Sequence, residues 1–174
     1  MKKIKQSTLI VIFVAVLIIA VGILALFNAD DIGVKRELEM NAEFVIKYSD
    51  FEKTIGMQDM LDFEPVKFTA VMDTSVSEPE EVTFKGVELK TICEGLGIDI
   101  SPAETFEVRA LDGYSSALTA DEVQSDGNVY ICMYMNDEVL KPKSEGGYGP
   151  YMMVVKSSMF SQRWCKFVQE IEIR

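Results

Sequence analysis

The chain has 174 residues, which suits one domain and a short additional segment. It contains no histidine, which excludes Ser-His-Asp, Cys-His and HExxH sites and removes the commonest metal ligand. The net charge of −11 disfavours binding to nucleic acid, because the phosphate backbone requires a basic surface.

An apolar run from Leu9 to Phe27 dominates the N-terminal region and contains no charged residue. A helix of this length rises about 28 Å, close to the hydrocarbon thickness of a bilayer. Three lysines precede the run and no basic residue follows it before Lys35, so the positive-inside bias predicts a cytoplasmic N-terminus. A cleaved secretory signal is the competing interpretation, but bulky side chains precede both Ala25 and Ala29 where a cleavage site needs small residues.

These observations predict four regions in chain order and a single-pass protein of the cell membrane. The prediction assigns a cytoplasmic N-terminus to residues 1–8, a transmembrane signal anchor to 9–27, a polar stalk to 28–40 and an extracytoplasmic domain to 41–174.

The part of the chain after Phe27 holds all 28 acidic residues and 14 of the 17 basic ones, a net charge of −14. Such a surface disfavours anionic lipid headgroups as well as nucleic acid. The densest acidic run is Glu78, Glu80 and Glu81, which is typical of a solvated loop. A calcium-binding loop is the alternative, but no DxDxDG spacing supports it.

The three cysteines are Cys93, Cys132 and Cys165, and each lies within an apolar run. This placement favours buried free thiols. A disulfide between Cys132 and Cys165 is the alternative, since both fall in predicted strands of an extracytoplasmic domain. No CxxC spacing indicates zinc.

The first half of the outer part predicts strands and two short helices. Ser49 and Glu52 match a capping box, which predicts a helix that ends at Gly56. Gly86 is expected to turn the chain into a second helix, with an apolar stripe from Leu89 and a C-terminal cap at Gly97. Strands are predicted at Phe44–Lys47, Val66–Met72 and Val82–Phe84.

The second half is richer in strands. Asp112-Gly113 is a strong hairpin signal, and Thr119 with Glu122 forms a capping box for one helical turn. Two predicted strands, Val129–Met135 and Tyr151–Val155, are apolar on both faces and are therefore expected inside a sheet. The predicted strands are Thr105–Leu111, Tyr114–Leu118, Val129–Met135, Glu138–Leu140, Tyr151–Val155 and Phe167–Ile173. Together these elements predict an α+β domain with a mixed, strand-dominated core.

Four segments in this order resemble the molybdopterin-binding domain of the sulfite oxidase family. They are FKGVELKTICEGLGI, LDGYSSALTADEV, YMNDEVLKPKSEGGYGPYMMVV and RWCKFVQEIEI. The resemblance extends over roughly residues 44–174 and implies a sulfite-oxidase-like molybdopterin-binding fold after the N-terminal transmembrane helix.

The resemblance also shows a departure at the metal position. In the family, the strand that matches VKFTAVM precedes a cysteine whose thiolate binds molybdenum, whereas this chain has Met72-Asp73-Thr74 there. Aspartate is a hard oxygen ligand and does not replace a soft thiolate. No catalytic residue and no metal ligand is therefore predicted. Arg163 and Lys166 match basic positions of the family that are similar to a pterin-phosphate contact, and both also suit a solvent-facing pair beside the last strand.

Late aromatic residues offer one further alternative. Tyr148, Tyr151, Phe160 and Trp164 lie near three glycines and suit either a stacking platform for a flat ligand or ordinary packing.

The favoured hypothesis is a membrane-anchored, extracytoplasmic binding or interaction module that has lost metal chemistry and has no cofactor. Its partner is expected to be a small anion, a cell-envelope component or a membrane or envelope protein. The alternative is a molybdopterin-dependent oxidoreductase with an atypical metal site, for which Asp73 is the positional candidate ligand. A carboxylate-based enzyme is a third hypothesis.

Overall fold

The structure is a computed structural model that describes residues 12–23, 41–74 and 77–174. The chain divides into two compact units, Met1–Glu37 and Leu38–Arg174. In the first unit, residues 12–23 form helix α1 with exposed side chains. Among the described residues, no helix is both long enough and apolar enough to span a bilayer. The predicted anchor at 9–27 extends beyond α1 at both ends, and the predicted segments 1–8 and 28–40 lie outside the described residues, so these assignments stay predictions.

The second unit is built mainly from strands. Its strands are β1 (Glu43–Tyr48), β2 (Phe51–Gly56), β3 (Val66–Thr74), β4 (Ser77–Glu88), β5 (Thr105–Ala110), β6 (Ser115–Thr119), β7 (Val129–Met135), β8 (Glu138–Val139), β9 (Met152–Val155) and β10 (Val168–Ile173). Its helices are α2 (Met57–Asp62), α3 (Leu89–Gly95) and α4 (Ala120–Gln124), with short 3-10 turns at Lys143–Glu145 and Ser161–Arg163.

The strands form two five-stranded sheets. The first has the order β2-β1-β10-β5-β6, in which β10 pairs in parallel with β1 and antiparallel with β5. The second has the order β3-β4-β7-β8, and β9 also pairs with β7. The expected mixed α+β architecture is therefore confirmed. The last strand, β10, lies inside the first sheet, because β1 and β5 form hydrogen bonds with its two edges.

Buried side chains of both sheets form one hydrophobic core. The alternating pattern of β1 buries Phe44 and Ile46, whereas the continuous apolar strands β7 and β9 are buried along most of their length. The Phe44 ring packs edge-on against Tyr151 at 4.8 Å between centroids, and the Tyr151 hydroxyl donates to the Ala42 carbonyl at 2.7 Å. These contacts fasten the first strand to the segment that leads into β9.

The prediction of an interior position is confirmed for β7, which pairs with β4, β8 and β9. It is wrong for β9, whose one neighbour among the described strands is β7 and which otherwise forms the isolated bridge between Met153 and Cys165.

Several local predictions are also confirmed. Thr119 and Glu122 form the expected capping box at α4, with the Glu122 amide donating to the Thr119 hydroxyl at 3.2 Å. Gly97 adopts a left-handed φ of 72° just after α3, and its amide donates to the Glu94 carbonyl. Ile98 donates to the Cys93 carbonyl, which completes a Schellman-type cap.

The helix predicted from Ser49 to Gly56 is wrong. Ser49, with a φ of 53°, lies in a two-residue turn, and β2 pairs antiparallel with β1 from Phe51 to Gly56. Glu52 therefore lies opposite Lys47 instead of capping a helix. β1 pairs with β10 along one edge and with β2 along the other. The backbone hydrogen bonds between β1 and β2 outweigh the local capping signal at Ser49.

Gly86 also differs from its prediction. It lies inside β4, and an added Cβ would meet the Ile131 carbonyl oxygen at 2.4 Å. The pairing register of β4 with β7 shifts between Lys85 and Gly86. The glycine thus permits a close approach of two backbones at a bulge rather than a turn into α3.

Candidate functional site

A cavity of about 300 Å³ opens at the end of β3, next to the position where the resemblance places the missing cysteine. It is lined by Met72, Thr74, Asp112, Tyr114, Met152, Ser161, Gln162, Trp164 and Lys166. These residues come from the ends of β3 and β9, the turn between β5 and β6, and the segment 161–166. The cavity therefore lies where elements of both sheets meet.

The segment 161–166 forms one wall and is held on both sheets. The Ser161 hydroxyl donates to the Asp73 carbonyl of β3. On the other side, the Tyr114 hydroxyl donates to the Gln162 carbonyl at 2.8 Å, and the Ser116 hydroxyl donates to the Arg163 carbonyl at 2.8 Å. Side-chain hydroxyls thus position this wall from two directions.

The floor is apolar. Met152 is fully buried, and the Trp164 ring packs edge-on against Phe84 at 5.7 Å between centroids. The indole Nε1 of Trp164 donates to the Val155 carbonyl at 3.0 Å, which satisfies its only donor. The aromatic ring therefore lies fixed in the core with its accessible surface at the cavity.

Lys166 supplies a positive charge to the lining. Its ammonium lies 3.9 Å from the centre of the Tyr148 ring and donates no hydrogen bond within the part of the chain that the structure describes. Burial lowers the pKa of Lys166, and the nearby negative charge of Asp112 partly offsets that effect. The site thus holds an amine whose hydrogen-bonding capacity is unused.

Arg163 occupies a different environment from Lys166. Its guanidinium forms a two-pronged ion pair with Glu122, at 2.7 and 3.1 Å, and also donates to the Ala117 carbonyl. These contacts raise the pKa of Arg163 and lower that of Glu122. Arg163 therefore stabilises the wall from outside the cavity, and of the two predicted basic residues the structure places Lys166 alone in the lining.

The other predicted candidates lie in different parts of the domain. The Asp73 carbonyl faces Ser161, but Asp73 is not among the lining residues.

Of the four late aromatic residues, Trp164 lines the cavity, Tyr148 contacts the Lys166 ammonium, and Tyr151 is buried in the core. A single stacking platform is therefore not formed by all four. Phe160 is half exposed on the loop that precedes Ser161.

Molybdopterin, the cofactor that the resemblance implies, requires a thiolate for its metal and cations for its phosphate. All three cysteines are free and buried, and none lines the cavity. Burial raises the pKa of Cys93 and of Cys165 to about 12 and raises that of Cys132 as well. A neutral thiol is a poor metal ligand. The described lining offers thioethers, hydroxyls, an amide and one carboxylate, and this donor set does not fit a thiolate-ligated molybdenum.

Sequence reasoning missed Asp112, Tyr114, Met72 and Met152 as lining residues. The Asp112-Gly113 pattern indicates only a hairpin turn, and the hydrogen bond that the Tyr114 amide donates to the Asp112 carboxylate at 3.2 Å supports this role. The available signal was positional, since these residues lie at strand ends or in a hairpin turn where ligand sites often form.

Comparison with solved structures shows the same fold in a larger protein. The crystal structure of the sulfane dehydrogenase SoxCD from Paracoccus pantotrophus matches with a TM-score of 0.63 and 17% sequence identity. The match covers 78% of this chain but 38% of that chain, so this chain corresponds to well under half of the SoxCD chain. A comparison with curated proteins found no match.

The comparison with protein families is more specific than the structural one. The family described as the oxidoreductase molybdopterin binding domain matches residues 39–174, which include every strand of the second unit. The resemblance to the sulfite oxidase family is thereby confirmed, and the chain belongs to the oxidoreductase molybdopterin binding domain family.

Proposed function

We propose that this chain is a membrane-anchored, extracytoplasmic binding module that retains the molybdopterin-binding fold and has lost its metal catalysis. The observation that carries the proposal is the cavity at the end of β3, whose described lining residues include the Lys166 ammonium and no thiol. The ligand is a small molecule with an anionic group, because an ammonium without a hydrogen-bond acceptor favours an anion.

The position of Lys166 supports a binding role. Its stem is partly buried, so an anion beside it would be partly shielded from water and would interact more strongly than at an open surface. The neighbouring Arg163 is already neutralised by Glu122 and does not compete for the ligand. A cavity of about 300 Å³ lies at the lower end of the range for small-molecule sites.

The predicted anchor places this module outside the cytoplasm. The apolar run 9–27 and the lysines before it support this orientation. We expect the full chain to stay in the membrane fraction after alkaline carbonate washing. Protease added to the outer face should cleave the domain, whereas protection of the domain would contradict this orientation.

Binding is tested with acetate and propanoate, followed by the fluorescence of Trp164, the single tryptophan. The full chain in detergent should bind these anions, and Lys166→Met should weaken binding about tenfold or more, as expected for a lost charge-assisted hydrogen bond. Lys141→Met is the control, because Lys141 is exposed outside this cavity. Equal binding by Lys166→Met, or no binding by the wild-type chain, would overturn the proposal.

The second candidate function is a molybdopterin-dependent oxidoreductase, which the family match over residues 39–174 favours. It requires a metal ligand other than a cysteine at residue 73. Molybdenum content separates the two functions, because a binding module without a thiolate site has no reason to retain the metal.

A further inference from the structure

We infer that the cavity's ligand is a zwitterion of amino-acid size, with its anionic group at Lys166 and its cationic group at Asp112. This inference rests on the proposed binding function and narrows it to one chemical class. The juxtaposition that carries it is one ammonium and one carboxylate in the lining of the same small cavity.

Asp112 keeps most of its capacity to accept hydrogen bonds. One oxygen accepts from the Tyr114 amide at 3.2 Å, and the other accepts from the Lys143 ammonium in an exposed ion pair at 3.5 Å. Both contacts are long, whereas an ionised carboxylate offers about four lone-pair sites. About a third of the side chain is exposed, so its oxygens can still reach a ligand ammonium.

Lys166 complements this carboxylate. Its three N–H donors make no hydrogen bond within the described ranges, and the Tyr148 ring stabilises the charge from one side. The two charged groups interact, since Asp112 raises the pKa of Lys166 against the larger effect of burial. They are not joined by an ion pair, which leaves room for a ligand that contacts each of them.

The apolar part of the lining determines which side chain the ligand can carry. Met72, Met152 and Trp164 provide an apolar surface with polarizable sulfurs and one aromatic ring. A volume of about 300 Å³ accommodates a small apolar side chain together with the two charged groups.

The charges also discriminate against other ligand classes. A dianion such as phosphate would meet the negative charge of Asp112 in the lining. A simple amine would leave Lys166 without a partner and place like charges close together. A zwitterion satisfies both groups, because each ligand charge meets its opposite.

The test uses L-leucine, L-methionine and L-phenylalanine as probes with the full chain in detergent. Trp164 fluorescence reports occupancy of the cavity, and equilibrium dialysis with radiolabelled probe measures the dissociation constant independently. Two analogues of leucine each lack one charge: 4-methylpentanoate lacks the ammonium and 3-methylbutylamine lacks the carboxylate. We expect at least one amino acid to bind about tenfold or more tightly than either analogue of the leucine skeleton.

Two substitutions test whether the Asp112 carboxylate contributes to amino-acid binding. Asp112→Asn should weaken amino-acid binding about tenfold and leave 4-methylpentanoate unchanged or tighter, because it removes a repulsive charge for that probe. Asparagine suits this turn, so the hairpin is expected to fold. Asp137→Asn is the matched control, since Asp137 lies in another hairpin turn, pairs with Lys67 and is not among the lining residues.

The outcomes separate this inference from the function on which it rests. The zwitterion inference is wrong if 4-methylpentanoate binds as tightly as the amino acids and Asp112→Asn strengthens the binding of all these probes. Anion binding at Lys166 would stand in that case. If acetate, propanoate and every amino acid fail to bind a folded chain, both are wrong.

Discussion

The ammonium of Lys166 lies 3.9 Å from the centre of the Tyr148 ring, at the margin of the cavity that adjoins the end of β3. The ring stabilises the charge without consuming a hydrogen-bond donor. This arrangement orients Lys166 in a partly buried environment and leaves its donors available to a ligand.

The first prediction concerns the pH dependence of binding. Burial lowers the pKa of Lys166, and an anion requires the charged form. Acetate affinity, measured by Trp164 fluorescence between pH 6 and 10, should therefore be full at the acidic end. It should decline at a pH below about 10.4, the ordinary value for lysine. Affinity that stays constant up to pH 10 would contradict the assignment of Lys166 as the anion ligand.

The second prediction concerns the cysteines. All three are buried and free, and burial raises the pKa of each. A thiol reagent at pH 8 should leave the native chain unmodified and should modify three thiols per chain after denaturation. Asp73→Cys places a thiol at a partly exposed position, and this variant should react with one equivalent while folded. Rapid modification of the wild-type chain in its native state would contradict the burial.

The third prediction concerns acid stability. Arg174 and Arg109 lower the pKa of Glu172 to about 2, mainly through hydrogen bonds. A lowered carboxyl pKa stabilises the fold above the unfolded value of about 4.3, and this stabilisation is lost as the pH falls through the folded value near 2. The melting temperature of the wild-type chain should therefore decrease from pH 5 towards pH 2.

Glu172→Gln tests this assignment in the same titration. The variant should melt lower than the wild type at pH 6, and the difference should shrink as the pH approaches 2. Glu78→Gln serves as the control on the acidic hairpin and should follow the wild type. A Glu172→Gln curve that stays parallel to the wild type across the whole range would contradict the role of the arginines.

The fourth prediction concerns the wall of the cavity. Arg163→Met removes the two-pronged contact with Glu122, whose partners are 45% and 23% exposed. Because exposed pairs contribute little, we expect a loss of about 0.5–1 kcal/mol in the free energy of unfolding by urea. Trp164 follows Arg163 directly, so its emission should also shift towards longer wavelengths as the wall loosens.

The control for Arg163→Met is Lys67→Met, which breaks the more exposed ion pair with Asp137 at a residue that does not line the cavity. It should change stability by less than about 0.5 kcal/mol and leave the emission unchanged. An unchanged emission in Arg163→Met would show that Arg163 does not position the wall.

The fifth prediction concerns the fastening of β1. Tyr151→Phe removes the hydroxyl that donates to the Ala42 carbonyl at 2.7 Å but keeps the ring contact with Phe44. We expect a loss of about 1 kcal/mol, because a partly buried acceptor loses its partner. Tyr134→Phe is the control, since the Tyr134 hydroxyl makes no hydrogen bond within residues 41–74 and 77–174. Equal effects of the two substitutions would contradict the role of the Ala42 contact.

Local sequence patterns predicted much of the fold. The alternation in Val66–Met72, the Asp112-Gly113 turn and the capping box at Thr119 each reflect forces between residues that are close in the chain. The capping box at Ser49 failed because β1 offers β2 a complete row of backbone hydrogen bonds. Such pairing depends on distant strands, which a local pattern does not contain.

The candidate site was less accessible from sequence. Lys166 was identified from its match to a family position, and its place in the lining follows from the position of the segment 161–166 between the two sheets. Asp112 lies 54 residues and Met152 lies 14 residues before Lys166 in the chain, and folding brings the three side chains into one lining. No spacing rule links these residues, so their convergence required the structure.

Retention of metal and pterin distinguishes a binding module from a molybdopterin-dependent oxidoreductase. The full chain, produced in a host that synthesises molybdopterin and purified in detergent, is analysed for molybdenum and for the fluorescence of released, oxidised pterin. We expect a folded protein with molybdenum far below one atom per chain, because the described lining residues of the cavity include no thiolate ligand. Near-stoichiometric molybdenum and pterin would contradict the proposed loss of metal catalysis.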